Sequence, residues 1–356
     1  MDNSQMTTDL DAIFSKALAG DPPPEEAGIF GIDLPKGLGQ ICLLGVPWDA
    51  TTSYGNGTAK GPESILKASH QLDLFDNFFG PTFRFGIEYV MLEDLLVLNN
   101  QTRSLVEKVL CAYDAGDPPD DRDIQQVNTN CTEMLAVIEA KAEEIACSSQ
   151  NKLLGLVGGD HSVSEALLKV LAKNQDFGVL HIDAHHDLRD AYEGFRHSHA
   201  SIFYNALQNN YINGLISVGI RDFSFSEREL AREDDRVTSF YDEDLFAMKS
   251  SGQSFGSISD EIIGSLPKQV YISLDIDGLS PNYCPSTGTP VPGGLSFQEM
   301  VFLIHRLVES GRKVVGFDIV EVAPSTTGDE WDANVGARLL YKLCGALGQS
   351  SGLGFL

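Results

Sequence analysis

The chain has 356 residues, of which 42% are hydrophobic and 21% charged, so it can build one large core or two modest domains. No apolar run approaches the roughly 18 residues of a membrane-spanning helix, and acidic residues replace the basic start of a secretory signal. The signal pattern is lacking, so we expect a cytoplasmic protein. The formal net charge of -26 opposes binding to nucleic acid or an anionic membrane surface and suits a small cationic partner.

The N-terminal residues 1–38 are polar and Pro-rich, and they predict an N-terminal arm that is extended or poorly ordered. From residue 39 to 356, short apolar runs alternate with helical patterns, which predicts an α/β domain around a mostly parallel sheet. An acidic, turn-rich stretch at about 99–123 predicts a surface loop inserted in this domain. Six cysteines without CxxC spacing predict reduced, mostly buried thiols.

The predicted strands are short and almost entirely apolar, as strands buried on both faces should be. They are 40–46, 153–157, 177–182, 215–218, 269–274 and 313–317. Helical patterns occur at 62–75, 132–147, 162–172, 297–310 and 333–345. Pro62 suits the first turn of one helix, and Ser162 with Glu165 predicts a capping box at the start of another.

Histidine and aspartate are concentrated where three of these strands end. Six of the eight histidines fall between His161 and His199, and aspartates cluster in DAHHD (183–187) and DID (275–277). Side chains two residues apart share a face in extended backbone, and ligands of parallel sheets bind at the carboxyl ends of strands. A third strand leads into Gly158-Gly159-Asp160-His161, whose glycines permit a turn that aims His161 at the same point. We therefore expect these groups to converge.

The converging groups predict a site for two metal ions. Four buried carboxylates would repel one another strongly, and two divalent cations would neutralise them. Oxygen and imidazole ligands without thiolate favour Mn²⁺, with Ni²⁺, Co²⁺ or Zn²⁺ open on ligand type. Two ions about 3.5–4 Å apart can share a bridging water and make it a hydroxide nucleophile at neutral pH.

The motifs resemble those of the arginase/agmatinase (ureohydrolase) family, from about residue 46 to 348. The matching blocks are GGDHS (158–162), HIDAHHDLRDAYEGFRHSHAS (181–201), SLDIDGLSPNYCPSTGTPVPGGLSF (273–297), DIVEVAPS (318–325) and, near the substrate, VPWDATTSYGNGTAKGPESI (46–65). The resemblance implies a single three-layer αβα domain, a homo-oligomer (trimer or hexamer) and hydrolysis of a small cationic guanidino compound to an amine plus urea.

The resemblance also implies residue roles. One metal would be held by His161, Asp183, Asp187 and Asp275, and the other by Asp183, His185, Asp275 and Asp277, with Asp183 and Asp275 bridging. His199 would be a proton shuttle, Glu321 would pair with the guanidinium group, and Asp187 counts among the catalytic residues as well as the ligands. His186 should point away from the metals, and His181 is a candidate for orienting a ligand.

The loop after DAHHD, Leu188 to Gly194, looks like that of the agmatinase branch, whose substrate lacks the α-carboxylate of arginine. Alternatives left open are an arginase, a guanidinobutyrase, a guanidine hydrolase and a formiminoglutamase. A zinc-dependent deacetylase with one metal is disfavoured by the extra carboxylates of DID and by GGDHS. A non-catalytic family member that binds a metal or ligand is a further alternative, against which the presence of His199 and Glu321 argues.

Overall fold

The predicted strands form one central sheet in the computed structural model, which describes residues 3–20, 23–24, 26–147 and 152–356, with residues 3–9 and 11 by backbone alone. Across these ranges eight strands take the order β2-β1-β3-β8-β7-β4-β5-β6, and every neighbouring pair is parallel. The strands are β1 (Ile41–Val46), β2 (Ile87–Met91), β3 (Leu153–Gly158), β4 (Gly178–Ile182), β5 (Leu215–Ile220), β6 (Val237–Tyr241), β7 (Gln269–Asp275) and β8 (Lys313–Val320).

Helices cover both faces of the sheet. They are α1 (Asn3–Ala19), α2 (Gly61–Ser69), α3 (Leu95–Ala115), α4 (Asp121–Ala146), α5 (Ser164–Ala172), α6 (Ile202–Gln208), α7 (Phe225–Glu233), α8 (Asp242–Ser250), α9 (Phe255–Gly264), α10 (Phe297–Glu309) and α11 (Trp331–Ser350). Alternate residues of a strand enter different apolar clusters: Leu43 of β1 belongs to the cluster that includes residues of α2, α10 and α11, whereas Leu44 belongs to the cluster that includes residues of α3, α4 and α5. The three-layer αβα architecture is therefore confirmed.

All six predicted strands are present within a few residues, and the sequence missed only the two edge strands. The residues of β2 and β6 are mostly half-buried, so these strands lack the continuous apolar run of the central strands. Pro62 lies in the first turn of α2 as predicted. Among the described parts of the chain, no helix is both long and apolar enough to cross a membrane.

The expectation of an extended or poorly ordered arm is wrong for residues 3–19, which form α1. The side chain of Phe14 is only 2% exposed, and its ring centroid lies 5.4 Å from that of Phe83. Leu10, Ile13 and Ala17 pack against the same apolar cluster. These residues recur at helical spacing and form a short apolar face on α1. The prediction was based on overall composition, which does not detect such a face among polar residues.

The surface loop predicted at about 99–123 is also wrong. Helix α3 continues to Ala115, and only 116–120 separate it from α4. The acidic residues here mark a helix boundary, because Asp120 accepts the N–H of Arg122 at 2.9 Å as the N-cap of α4.

The capping box predicted at Ser162 and Glu165 is not formed. Asp160 instead caps a short 3-10 helix, His161–Val163, by accepting the N–H of Ser162 at 3.1 Å. The cysteine prediction is confirmed: all six thiols are free, and four of them are buried.

Candidate metal centre and substrate pocket

The predicted ligands lie together where the central strands end. Strand β3 leads to His161, β4 to the DAHHD motif, and β7 to Asp275 and Asp277. The turn at Gly159 depends on glycine for space, because a Cβ atom there would overlap the carbonyl oxygen of Trp48. The sheet order, with β3, β8, β7 and β4 adjacent, then brings their carboxyl ends to one place.

One group of carboxylates surrounds His161. The Nδ1 atom of His161 lies 2.9 Å from Asp187 Oδ2, 3.2 Å from Asp183 Oδ2 and 3.6 Å from Asp275 Oδ2. This nitrogen is nevertheless buried and forms no hydrogen bond that meets the usual distance and angle criteria. Three acidic oxygens around an unpartnered imidazole nitrogen are the arrangement that a shared cation would satisfy.

A second group adjoins the first. The Nδ1 atom of His185 lies 3.1 Å from Asp277 Oδ2 and 3.5 Å from Asp183 Oδ1. Asp183 thus turns one oxygen toward each group, which is the position of a bridging ligand. The first group contains the four residues of the first predicted ligand set, and the second contains Asp183, His185 and Asp277 of the other; Asp275 lies with the first group.

Backbone hydrogen bonds hold these carboxylates in place. Asp275 accepts the N–H of Asp277 at 2.8 Å, Asp277 accepts the N–H of Ala184 at 3.0 Å, and Asp183 accepts the N–H of His185 at 2.6 Å. Asp187 has a left-handed backbone with φ of 54°, a conformation that costs a non-glycine residue about 1–3 kcal/mol. Its strained backbone and the bonds to the other three acids fix the site before any ligand arrives.

The electrostatics of the groups favour a cation. Burial, and then the charges of Asp277 and Asp183, raise the pKa of Asp275 well above its ordinary value. Burial and the charge of Asp183 likewise raise the pKa of Asp187 to about 6. Both groups offer carboxylate and imidazole donors without thiolate, and both carry excess buried negative charge. These properties fit divalent cations, and residues of each group lie close enough together to hold one.

The predicted substrate residues line an open pocket above these groups. Glu321 follows β8, is 7% exposed, and accepts the N–H of His161 at 2.9 Å through Oε1. Its backbone is left-handed, with φ of 61°. Burial, and then the charge of Asp160, raise the pKa of Glu321 well above its usual range. A cationic group in the pocket would relieve this electrostatic cost.

His199 lines the same pocket from the segment before α6. Its ring stands edge-on to Tyr192, with centroids 5.7 Å apart, and its Nδ1 atom is buried without a hydrogen-bond partner. Burial and the charges of His185 and His161 lower the pKa of His199 to about 4. The imidazole is therefore neutral at pH 7, with an unpartnered nitrogen in the pocket region.

The other histidines of the motif region lie behind the pocket. His186 is buried between the rings of Phe223 and Tyr241, which is the packing position predicted for it. His181 places Nε2 2.8 Å from Asp183 Oδ2, as expected of a residue that orients a ligand. His197 bonds to Glu165 at 2.8 Å instead of facing the pocket.

Sequence reasoning missed several pocket residues. These are Asp222, Phe223 and Glu227, whereas Ser53 and Thr289 lie in the motif blocks 46–65 and 273–297. Asp222 and Phe223 lie two and three residues after the end of β5, so the rule that ligands bind at strand ends could have found them.

The pocket loop that contains Ser53 and Tyr54 is tied to helix α3. Asn99 and Asp49 form paired hydrogen bonds, from Asp49 N to Asn99 Oδ1 at 2.8 Å and from Asn99 Nδ2 to Asp49 Oδ1 at 3.0 Å. Arg103 of α3 also donates to the hydroxyl of Thr52 at 3.1 Å. The segment predicted as an inserted loop is therefore part of the structure that shapes the pocket.

An all-parallel α/β sheet with an Asp/His cluster at its carboxyl edge defines the class of α/β metallohydrolases. Comparisons with known proteins narrow this class. The profile of the Arginase family matches residues 39–345. An N(1)-aminopropylagmatine ureohydrolase of Thermus thermophilus is 31% identical over 330 residues, covering 90% of this chain and 94% of the relative.

Two further comparisons agree. Arginase 1, mitochondrial, of Arabidopsis thaliana is 29% identical over 304 residues, covering 85% of this chain and 79% of the relative. The crystal structure of agmatine ureohydrolase of Thermoplasma volcanium has a TM-score of 0.64 and 26% identity, covering 97% of this chain and 99% of that structure. The chain belongs to the arginase family, which confirms the family and the enzyme class, a ureohydrolase, that the motifs predict.

Proposed function

We propose that the chain is a two-metal hydrolase that cleaves the guanidinium group of a small guanidino compound with a cationic tail, releasing urea and an amine. The observation that carries the reaction is the pair of Asp/His groups sharing Asp183, directly beneath a pocket lined by Glu321 and His199. The metals would be held by His161, Asp183, Asp187 and Asp275 and by Asp183, His185, Asp275 and Asp277, and Mn²⁺ suits these donors, with Ni²⁺ or Co²⁺ as alternatives.

Glu321 would bind the guanidinium group. Its Oε1 atom is held by the N–H of His161, so the carboxylate has a fixed orientation at the pocket wall. A carboxylate can accept two parallel N–H bonds from a planar guanidinium, which would place the carbon of that group over the metal centre. Because the carboxylate is buried among other acids, the incoming cation restores its ordinary ionisation.

Proton transfer would fall to His199. Two divalent cations, when bound, supply the activation of the attacking water. The neutral imidazole of His199 can accept a proton released in the attack and pass it to the departing amine, which is a poor leaving group unless protonated. Asp187, which lines the pocket floor beside His161, completes the catalytic set.

The pocket rim favours a substrate tail that ends in an amine. The Arg189 side chain is engaged twice, with its guanidinium carbon 4.6 Å from the ring centroid of Tyr192 and Nε 3.4 Å from Glu227 Oε2. Asp222, by contrast, is 70% exposed at the rim, where its Oδ2 atom lies 3.9 Å from Nε2 of His185. The rim thus presents an exposed carboxylate, while its cationic side chain, Arg189, already contacts Tyr192 and Glu227, which supports agmatine or N(1)-aminopropylagmatine over arginine.

A urea-release assay tests this proposal directly. Protein loaded with Mn²⁺ and, separately, with Ni²⁺ is offered agmatine, N(1)-aminopropylagmatine, arginine, guanidinobutyrate and guanidine at equal concentrations. The highest kcat/KM is expected for a substrate with an amine tail. A clear preference for arginine or guanidinobutyrate would reject the tail assignment, and urea from none of them would reject the reaction.

A matched pair of variants tests the role of the rim. Asp222→Asn should raise KM for agmatine and leave guanidine, which has no tail, unchanged. Asp235→Asn, an exposed aspartate outside the pocket, serves as the control for general charge loss. Equal effects of the two variants on agmatine would show that Asp222 does not read the tail.

The cytoplasmic location and assembly into a trimer or hexamer are also proposals, the second of them resting on the family resemblance alone. Sedimentation equilibrium of the purified protein measures the assembly directly. A monomer at micromolar concentration would reject the proposed oligomer.

A further inference from the structure

A row of polar side chains crosses the middle of the sheet, one layer below the predicted ligands. Asp318 on β8 is the register partner of Ser273 on β7, Ser273 of His181 on β4, and His181 of Ser217 on β5. All four are fully buried in strands that are otherwise mostly apolar. Buried polar groups must bond to one another, so these four residues, here called the polar row, have few possible hydrogen-bond arrangements.

At the Asp318 end of the row, Ser273 determines which ring nitrogen of His161 carries the hydrogen. The hydroxyl of Ser273 donates to Asp318, whose two oxygens both lie 2.9 Å from Ser273 Oγ. With its hydrogen engaged, Ser273 can only accept from His161 Nε2, which is 2.9 Å away. A neutral His161 protonated on Nε2 presents a lone pair at Nδ1, the atom that faces Asp187, Asp183 and Asp275.

At the second histidine of the row the bonding is reversed. A carboxylate can only accept, so Nε2 of His181 carries the hydrogen that it directs at Asp183 Oδ2, 2.8 Å away. The lone pair of a neutral His181 is then on Nδ1, which lies 3.1 Å from Ser217 Oγ and accepts that hydroxyl. The nitrogen that could bind a cation therefore points toward β5 and away from the acidic groups.

We infer that the polar row makes His181 a positioning residue and not a ligand: His181 donates a hydrogen bond to the shared ligand Asp183, while Ser273 of the same row orients His161, which the proposed metal centre already includes. Proximity alone does not make this distinction, because His161, His181, Asp183 and Asp187 offer donor atoms within 4.8 Å of one another. The inference rests on the proposed metal centre and adds to it which histidine is excluded from the ligand set and why.

The distinction is measurable without any activity assay. The full-length protein is labelled with isotope-enriched histidine nitrogen, loaded with an NMR-active cadmium isotope as the diamagnetic probe, and examined for cadmium–nitrogen coupling. The variants His181→Gln and His186→Gln assign the two signals that they remove. Coupling is expected at His161 Nδ1 and at His185, with none at His181, whose Nε2 should instead show its attached proton.

The outcomes separate the inference from the proposed function. Coupling at His181 overturns the inference and leaves a metal centre with a different ligand set. Absence of coupling at all the histidines overturns the metal centre itself and the inference with it. Coupling at His161 through Nε2 would show that the Ser273 bond does not set the tautomer.

Removing the serine hydroxyl provides an independent test. Ser273→Ala should weaken binding of Mn²⁺ about 10–100-fold in a calorimetric titration, because a ligand histidine loses the partner that orients it. Ser239→Ala is the matched control, since Ser239 on β6 is the register partner of Ser217 but has a buried hydroxyl without a hydrogen-bond partner. Circular dichroism establishes that both variants fold, and unchanged Mn²⁺ affinity in folded Ser273→Ala would overturn the proposed role of the row.

Discussion

The left-handed backbone at Glu321 predicts an unusual order of stability for substitutions at this position. Glu321 has φ of 61°, and left-handed backbone costs a residue with a Cβ atom about 1–2 kcal/mol. Glycine avoids this cost but loses about 0.5–1 kcal/mol through its greater freedom in the unfolded chain. The midpoints of these two ranges differ by about 0.75 kcal/mol, so we expect Glu321→Gly to be more stable than Glu321→Ala by roughly that amount. Both variants lose the same hydrogen bond from His161 N, so this loss cancels.

Urea denaturation of the two variants in the presence of a chelator measures the difference. The same pair of substitutions at Glu133, an exposed position within α4, should show the opposite order, because alanine exceeds glycine by about 1 kcal/mol in a helix. If Glu321→Ala proved as stable as Glu321→Gly, the strain argument would be refuted. Both Glu321 variants should nevertheless lose urea release. That result would show that the left-handed backbone positions the carboxylate for function and does not stabilise the fold.

The remaining predictions concern the metals, the shuttle and a distant ion pair. Asp183→Asn should lower metal content, measured by elemental analysis, and abolish urea release, because this residue turns one oxygen toward each group; full activity would reject the shared site. His199→Ala should retain both metals and slow turnover about 10²–10⁴-fold, the usual contribution of a general acid or base; a loss of metal would contradict the shuttle role. Burial opposes ionisation of Asp76, but bonds from Lys342 and two backbone N–H groups outweigh it and lower its pKa. The stability that Asp76 contributes is therefore present above its unfolded pKa of about 4 and lost as pH falls through its folded pKa. The gap in unfolding free energy between wild type and Asp76→Asn should shrink below about pH 4, and a gap independent of pH would refute the linkage.

The central strands and the ligand motifs could be predicted from the sequence because burial on both faces leaves a clear signal. A strand such as β7 is apolar until its last residues, and the carboxylates appear where the sheet ends. The positions of Asp183 and Asp275 then follow from local alternation and from the rule for strand ends. Such arguments need no knowledge of distant contacts.

Other parts of the molecule depend on contacts that no local pattern reveals. The edge strand β2 was missed because its side chains are half-buried, and the α3–α4 region was predicted as a loop because the acidic, turn-rich segment 114–123 lies where the two helices meet. The polar row was invisible for a different reason: Ser217 and Ser273 resemble ordinary strand residues until the strand register brings them beside the histidines.

The paired hydrogen bonds between Asn99 and Asp49 have a consequence for engineering this enzyme. They connect helix α3, which packs beside α4 on the outside of the sheet, to the loop that carries Ser53 and Tyr54. A library confined to pocket-lining positions would leave out the residues that determine where this loop lies. Varying the inner face of α3 around Asn99 and Arg103 offers a separate way to move Tyr54 relative to the substrate, with the metal ligands left unaltered.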